Sequence, residues 1–351
     1  MKLIIPTFNR SAKLIRTLEC YSTGKYNIEK IVVIDGSHDN HKAFNEKNCR
    51  RLGFEYLHYN SNLNLVARLY SYLTSTCKDE LVCIGTDEDV FCNSYINDSS
   101  KFLTENKDYS SYIGRYITLG KPLFGLKRLI YARDHITNMD LAYENPVRRL
   151  IGLNDAILVG CSPVFWGTRR RNQLIRSVEA QMQMKYESTQ ESIDQVYLSL
   201  SGKIKFVKDP MLLRDETNIG YKFYKERHDP VNVLPVSDFK QLKAKALDDY
   251  KIEDLELALN FLEDRWRPLD KNIIGSQSLT LARHKKYYSA FEDFEGQKKF
   301  LGKIVRTTAK IGIVISEIIA WLIAKKYLKI KVGNKVINKF CKSISTHAIF
   351  K

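Results

Sequence analysis

Leu3-Ile4-Ile5-Pro6-Thr7-Phe8-Asn9-Arg10 sets an apolar run against a proline and a polar turn. A second run, Ile31-Val32-Val33-Ile34, is closed in the same way by Asp35-Gly36-Ser37. Between them, Leu14, Ile15, Leu18 and Tyr21 recur at helical spacing across residues 11–22. Short β-branched runs ending at turn residues read as buried strands, and apolar residues three to four apart read as one face of a helix. The same pattern continues outward. Phe54-Glu55-Tyr56-Leu57 is a weaker third strand, Leu65 to Leu73 is helix-like, and Leu81-Val82-Cys83-Ile84 is a fourth strand that ends at Gly85-Thr86-Asp87-Glu88-Asp89. Strands alternating with helices at this spacing predict an α/β fold with a mainly parallel sheet flanked by helices. Ligands of such sheets bind beyond the carboxyl ends of the strands. Each of these polar turns follows a strand end, so the turns are the place to look for a site.

Further along, Ser111–Ile117, Ala156–Val159 and Lys203–Val207 are strand candidates, and the pattern turns helical from about residue 226, as in Asp248 to Arg265. Boundaries near 225 and 298 divide the chain into 1–225, 226–298 and 299–351. The chain carries 56 Lys and Arg against 40 Asp and Glu, a formal charge of +16, which attracts polyanions. Residues 301–351 hold eleven of the basic side chains and one acid, Glu317, so the excess belongs mainly to the tail. A nucleic-acid-binding protein needs a basic face within the folded body and a recognisable binding motif; neither is visible, and no nucleic-acid partner is expected. The seven cysteines are scattered with no C-x-x-C pair, which argues against a zinc ribbon or disulfide scaffold and for a reducing compartment. Met1-Lys2-Leu3-Ile4-Ile5-Pro6 has none of the features of a secretory signal.

Asp87 and Asp89 stand at i and i+2 just past a buried strand, which directs both to one face. Hard carboxylate oxygens suit Mg²⁺ or Mn²⁺, which keep positions open for water and substrate phosphates. A solvated acidic turn is the plainer reading of a D-x-D triplet, but apolar residues on both sides make unpaired charge here costly.

Taken together, Ile4 to Arg10, Val32 to Asp39 and Asp87-Glu88-Asp89 resemble, in order and spacing, the first two strand ends and the D-x-D turn of glycosyltransferase family 2 proteins of GT-A fold. The resemblance is good over about residues 1–95 and fades through 225. It implies a Rossmann-like nucleotide-sugar-binding domain with Pro6, Thr7 and Arg10 along the nucleotide pocket and Asp35 accepting a hydrogen bond from the base. It places Arg68 near the base and phosphates, although the glycine usually found upstream is missing, and it has Asp87 facing ribose and metal while Asp89 ligates the metal. The implied cofactor is Mn²⁺ or Mg²⁺, and the implied donor is a nucleotide-sugar.

An inverting transfer needs a carboxylate to take the acceptor hydroxyl proton. The family's acid pair falls here at Glu191-Ser192-Ile193-Asp194, where Ser192 interrupts it; Asp194 and Glu191 are the two candidates, and N-terminal helix acids favoured by the macrodipole are the bland alternative. Trp166 could stack on an acceptor sugar, with Arg169-Arg170-Arg171 meeting an anionic acceptor or a phosphate; core packing and a solvated face are the competing readings. In the tail, Leu301, Ile304, Val305, Ile311, Ile315, Ile318 and Leu322 follow helical spacing beside a lysine-rich flank. Its apolar run of fourteen residues, Ile311 to Ala324, falls short of the ~20 needed to span a bilayer. A helix of this kind predicts association with an anionic membrane surface, the inner face of the cell membrane, and a glycan or lipid-linked glycan acceptor in cell-surface polysaccharide synthesis. The alternatives are a nucleotidyl- or sugar-phosphate transferase, for which a glycine-rich loop would be expected at residues 6–10, and a non-catalytic sugar-binding homologue.

Overall fold

A computed structural model describes residues 1–23, 26, 28–119, 130–133, 141–157, 163–184, 190–215 and 236–272. The first half alternates as the sequence pattern predicts. The elements are β1 (Lys2–Thr7), α1 (Ser11–Thr23), β2 (Ile31–Asp35), α2 (Asp39–Leu52), β3 (Glu55–His58), α3 (Leu65–Ser75) and β4 (Leu81–Ile84). Local chemistry sets the helix ends. The Asn64 side chain accepts from the Ala67 N–H to cap α3, and Gly53, at φ 78°, takes the left-handed turn that closes α2. After the acidic turn come β5 (Val90–Phe91), α4 (Asn93–Glu105), β6 (Tyr109–Leu119), β7 (Ile130–Arg133), α5 (Pro146–Ile157), β8 (Thr168–Arg170), α6 (Arg171–Met182), α7 (Gln190–Ser201) and β9 (Lys203–Asp215). Two further helices follow, α8 (Val236–Asp249) and α9 (Leu255–Asn272).

Among the described residues the strands form one nine-stranded sheet in the order β3-β2-β1-β4-β8-β6-β9-β5, with β7 beside β6. The β3-β2-β1-β4 half is parallel, β6 runs parallel to β9, and β8 is antiparallel to both β4 and β6. The chain moves from β1 outward to β2 and β3, then returns across β1 to place β4 on its other side. That reversal puts the switch point between β1 and β4, where the crevice beyond the strand ends is a natural ligand site. Both faces of the parallel strands are buried. Leu3, Ile5, Ile31 and Val33 pack with α1 residues Leu14, Leu18 and Tyr21, while Ile4, Val32 and Ile34 pack with α3 residues Val66, Leu69 and Leu73. Near-continuous apolar strands are the signature of a sheet covered on both sides.

Two expectations change. Ala156 and Ile157 end α5 rather than begin a strand, and Leu158 and Val159 lie outside the described residues. A four-residue apolar run is ambiguous between helix and strand; here Pro146 at the first helical position and the Asn145 side chain, accepting from the Val147 and Arg148 N–H groups, start a helix that carries through it. The helix expected over 248–265 is instead two, α8 ending at Asp249 and α9 starting at Leu255, with Asp254 at φ 61° in the break. Both pack Phe239, Leu242, Leu255 and Leu259 against Ile193, Val196 and Tyr197 of α7 in a shared cluster.

Candidate active site

Three strand ends are stitched together by hydrogen bonds that span the switch point. The Thr7 hydroxyl donates to Asp87 Oδ2 at 2.8 Å, and the Thr7 carbonyl accepts from the Gly36 N–H at 3.1 Å. Thr7 therefore ties the β2 turn to the acidic turn. Asn9 joins the first two turns more closely: its N–H donates to Ser37 Oγ at 2.8 Å, and its Oδ1 accepts from the His38 N–H at 3.0 Å. Asn9 sits at φ 53°, a left-handed conformation that Asn tolerates better than most residues. Phe8 and His38 meet edge to face at 5.5 Å, and Phe8 is exposed at the crevice mouth.

Arg68 reaches the same place from α3. Its Nη1 donates to the Thr7 carbonyl at 2.6 Å, and its guanidinium lies over the Phe8 ring at 5.9 Å. A Cβ on Gly36 would stand 2.6 Å from Arg68 Nη1, so the glycine makes room for the cation. Pro6, partly buried, completes the end of β1 opposite Ile34.

Asp35 is 0% exposed. Its Oδ1 accepts from the Ser37 N–H at 2.7 Å, and its Oδ2 accepts from Asn45 Nδ2 and the Tyr56 hydroxyl, both at 2.8 Å. Both carboxylate oxygens are thus engaged within the protein, by the turn, α2 and β3. Asn45, Tyr56 and Ser37 carry no mark in the sequence, because no local pattern identifies a residue as the partner of an acid on another strand.

Asp87 and Asp89 are 3% and 4% exposed. Burial pushes the Asp87 carboxyl up to about 6, against the opposing pull of Arg10 and the Thr7 hydroxyl. Arg10 Nη1 lies 2.9 Å from Asp87 Oδ1, and its Nη2 lies 2.5 Å from Glu88 Oε2. Lys13 ion-pairs with the same Glu88 oxygen. Thr86 Oγ1 accepts from the Asp89 N–H at 2.9 Å, and Thr17 donates to the Asp87 carbonyl at 3.0 Å. Lys13 joins this network without having been singled out in the sequence; its signal is the three-residue spacing of Arg10 and Lys13 at the start of α1. Among the described residues no group of three His, Cys, Asp or Glu side chains converges on one metal position.

The acceptor-side residues are arranged differently. Asp194 is 0% exposed, and its Oδ1 accepts from Arg169 Nη1 at 2.6 Å and from the Ser177 hydroxyl at 2.7 Å. Arg169, 1% exposed, also donates to the Phe165 carbonyl and lies over the Phe165 ring. Asp194, expected as the base, is thus a buried counter-ion, because the arginine expected at an acceptor is inside the protein. Arg170 and Arg171 likewise donate to main-chain carbonyls, those of Leu103 and Tyr109 and of Leu73 and Cys77. Trp166 is partly buried and packs against two of the core clusters, with its ring edge on Phe165. Glu191 lies in the first turn of α7, and its side chain is outside the described residues.

Residues 2–171, from β1 through β8, match the model of glycosyl transferase family 2. This first part of the chain is similar to that family's domain. No curated protein matches the sequence at a significant level. Among solved structures, TarS of S. aureus is 16% identical, with 74% of this chain and 41% of that one covered and a TM-score of 0.46. TarS 1–349 in complex with UDP-GlcNAc is also 16% identical, with 74% of this chain and 69% of that one covered and a TM-score of 0.46. The mannosyltransferase PcManGT from Pyrobaculum calidifontis, in complex with GDP-Man and Mn²⁺, is 13% identical, with 97% and 85% covered and a TM-score of 0.44. The chain therefore spans 41% of the first of these chains and most of the last.

Proposed function

We propose that the chain moves a sugar, with inversion, from a nucleotide-sugar to a glycan or lipid-linked glycan acceptor in cell-surface polysaccharide synthesis. The observation that carries the donor half is the convergence of Thr7, Arg10, Arg68, Asp87 and Asp89 at the switch point of a family 2 domain. Phe8 offers the exposed flat face on which a base can stack. Pro6 and Thr7 end the strand beneath it, and Asp35 holds the second turn rigid through its three hydrogen bonds.

A divalent cation fits the donor chemistry of the acidic turn. Asp87 and Asp89 are both buried carboxylates, hard oxygen donors whose ionised form a divalent cation would stabilise. Asp87 and Asp89 would hold Mn²⁺ or Mg²⁺, the remaining positions falling to water and diphosphate oxygens. When bound, such an ion neutralises charge gathering on the departing diphosphate.

The chain's own residues do the rest. Arg10 and Arg68 orient the nucleotide, and a carboxylate takes the acceptor hydroxyl proton as the new bond forms. With Asp194 engaged by Arg169, the proposal assigns that proton to Glu191, at the start of α7. The lysine-rich tail, residues 299–351, is proposed to hold the enzyme on an anionic lipid surface, the cytoplasmic face of the membrane. Among the described residues no helix is long and apolar enough to cross a membrane.

The experiment is a thermal-shift screen of UDP, GDP, CDP, ADP and TDP with and without Mn²⁺. One nucleotide should raise the melting temperature, and more so with Mn²⁺, because ligands that bind only the folded state stabilise it. A flat response to all five removes the donor reading.

A further inference from the structure

The cations of α1 are arranged against the acidic turn more completely than a nucleotide pocket requires. Arg10, whose carbonyl accepts from the N–H groups of Lys13 and Leu14, stands at the helix start. Lys13 lies one turn on, and Arg16 follows at the same spacing, its Nη2 donating to the Glu88 carbonyl at 2.9 Å. Arg10 and Lys13 converge on one oxygen, Glu88 Oε2. Two like charges drawn to a single atom repel each other, and Glu88 offsets that repulsion while Asp87 holds the other nitrogen of Arg10. Glu88 is also unlike its neighbours: its side chain is 25% exposed, whereas Asp87 and Asp89 are buried.

Arg10 and Lys13 face Asp87 and Glu88, so these four side chains balance one another in charge. A divalent cation arriving alone at Asp87 would meet the Arg10 guanidinium. A diphosphate arriving alone at Arg10 and Lys13 would meet the carboxylates of Asp87 and Glu88. Arriving together, each finds a partner of opposite sign: the cation takes the buried aspartates, and the diphosphate takes the two released side chains. Resting on the donor reading above, we propose that Lys13 is a further diphosphate-binding residue and that Glu88 is the counter-ion Lys13 and Arg10 leave. The exchange makes cation and nucleoside diphosphate bind as a pair. Glu88, in the middle of the acidic triplet, then sets how strongly the two ligands depend on one another; such a coupling is reciprocal by linkage.

Calorimetric titration of the full chain with the five nucleoside diphosphates, each with and without Mn²⁺, tests this. In the wild type, the responding nucleotide should bind at least tenfold more weakly without Mn²⁺. In Glu88→Gln, metal-free binding should tighten about tenfold and the Mn²⁺ effect should shrink, since Lys13 loses the carboxylate it pairs with and Arg10 keeps only Asp87. Lys13→Met should weaken binding with Mn²⁺ about tenfold. The double variant Lys13→Met/Glu88→Gln removes one charge of each sign, so its melting temperature should stay near wild type while its diphosphate affinity stays low. Wild-type binding that depends on Mn²⁺, together with a Glu88→Gln variant of unchanged coupling and a Lys13→Met variant of unchanged affinity, overturns the exchange and leaves the donor reading standing. Absence of binding by every nucleotide in the wild type with Mn²⁺ overturns both.

Discussion

Asp87 shows most directly how burying a single acid costs folding energy. Its carboxyl is raised from 3.8 to about 6 chiefly by burial, so between those values the folded chain holds a proton that the unfolded chain has lost. The unfolded state then binds fewer protons, and stability falls as pH rises through that interval. At 1.36 kcal/mol per pH unit the penalty at neutral pH is roughly 3 kcal/mol. Asp87→Asn, which has no proton to lose, should therefore gain on the wild type by about that much between pH 4 and pH 7 in denaturant melts without divalent ions; parallel pH profiles would refute the burial argument. Added Mn²⁺ should narrow the gap by stabilising the wild type alone. Arg68 and Gly36 make a related point. The sequence marks a glycine in a turn and an arginine on a helix, but only their approach shows that a Cβ at position 36 would fall on the guanidinium.

The elements divide into those whose pattern is local and those whose partners are remote. β1, β2, β4 and the helices between them are legible because buried strands and amphipathic helices carry their period in consecutive residues. Ala156 and Ile157, expected in a strand, are helical because a short apolar run has no period of its own, and the Asn145 cap that starts the helix lies eleven residues before Ala156. α7 is legible as a helix start with acids in its first turn, but which acid is available depends on β8. Arg169, twenty-five positions earlier, makes Asp194 a buried counter-ion. Asp194→Asn should accordingly act on folding: removing the carboxylate from its buried ion pair with Arg169 should cost about 3 kcal/mol in denaturant unfolding. Glu191→Gln should instead lower turnover at least about 100-fold with stability and nucleotide affinity unchanged. Full turnover in Glu191→Gln would remove it as the base.

At the scale of the molecule, the sheet reversal between β1 and β4 gathers into one crevice turns that the chain separates by as many as 80 residues, as the Thr7–Asp87 bond does. The lysine-rich tail, residues 299–351, lies outside the described residues, and the membrane proposal for it rests on the sequence. Deleting residues 300–351 should shift the protein from the membrane to the soluble fraction in a sedimentation assay on anionic vesicles, and identical partitioning of the two chains would end the membrane proposal. The amino-acid sequence by itself determined the succession of strands, helices and polar turns, and with it the family-like order of Thr7, Asp35 and Asp87, since each depends on near neighbours. Tertiary structure alone decided that Asp35 faces inward, that Arg169 closes on Asp194, and that Arg10 and Lys13 share Glu88. A charge's exposure and its partner are properties of packing between distant segments, and no local pattern encodes them.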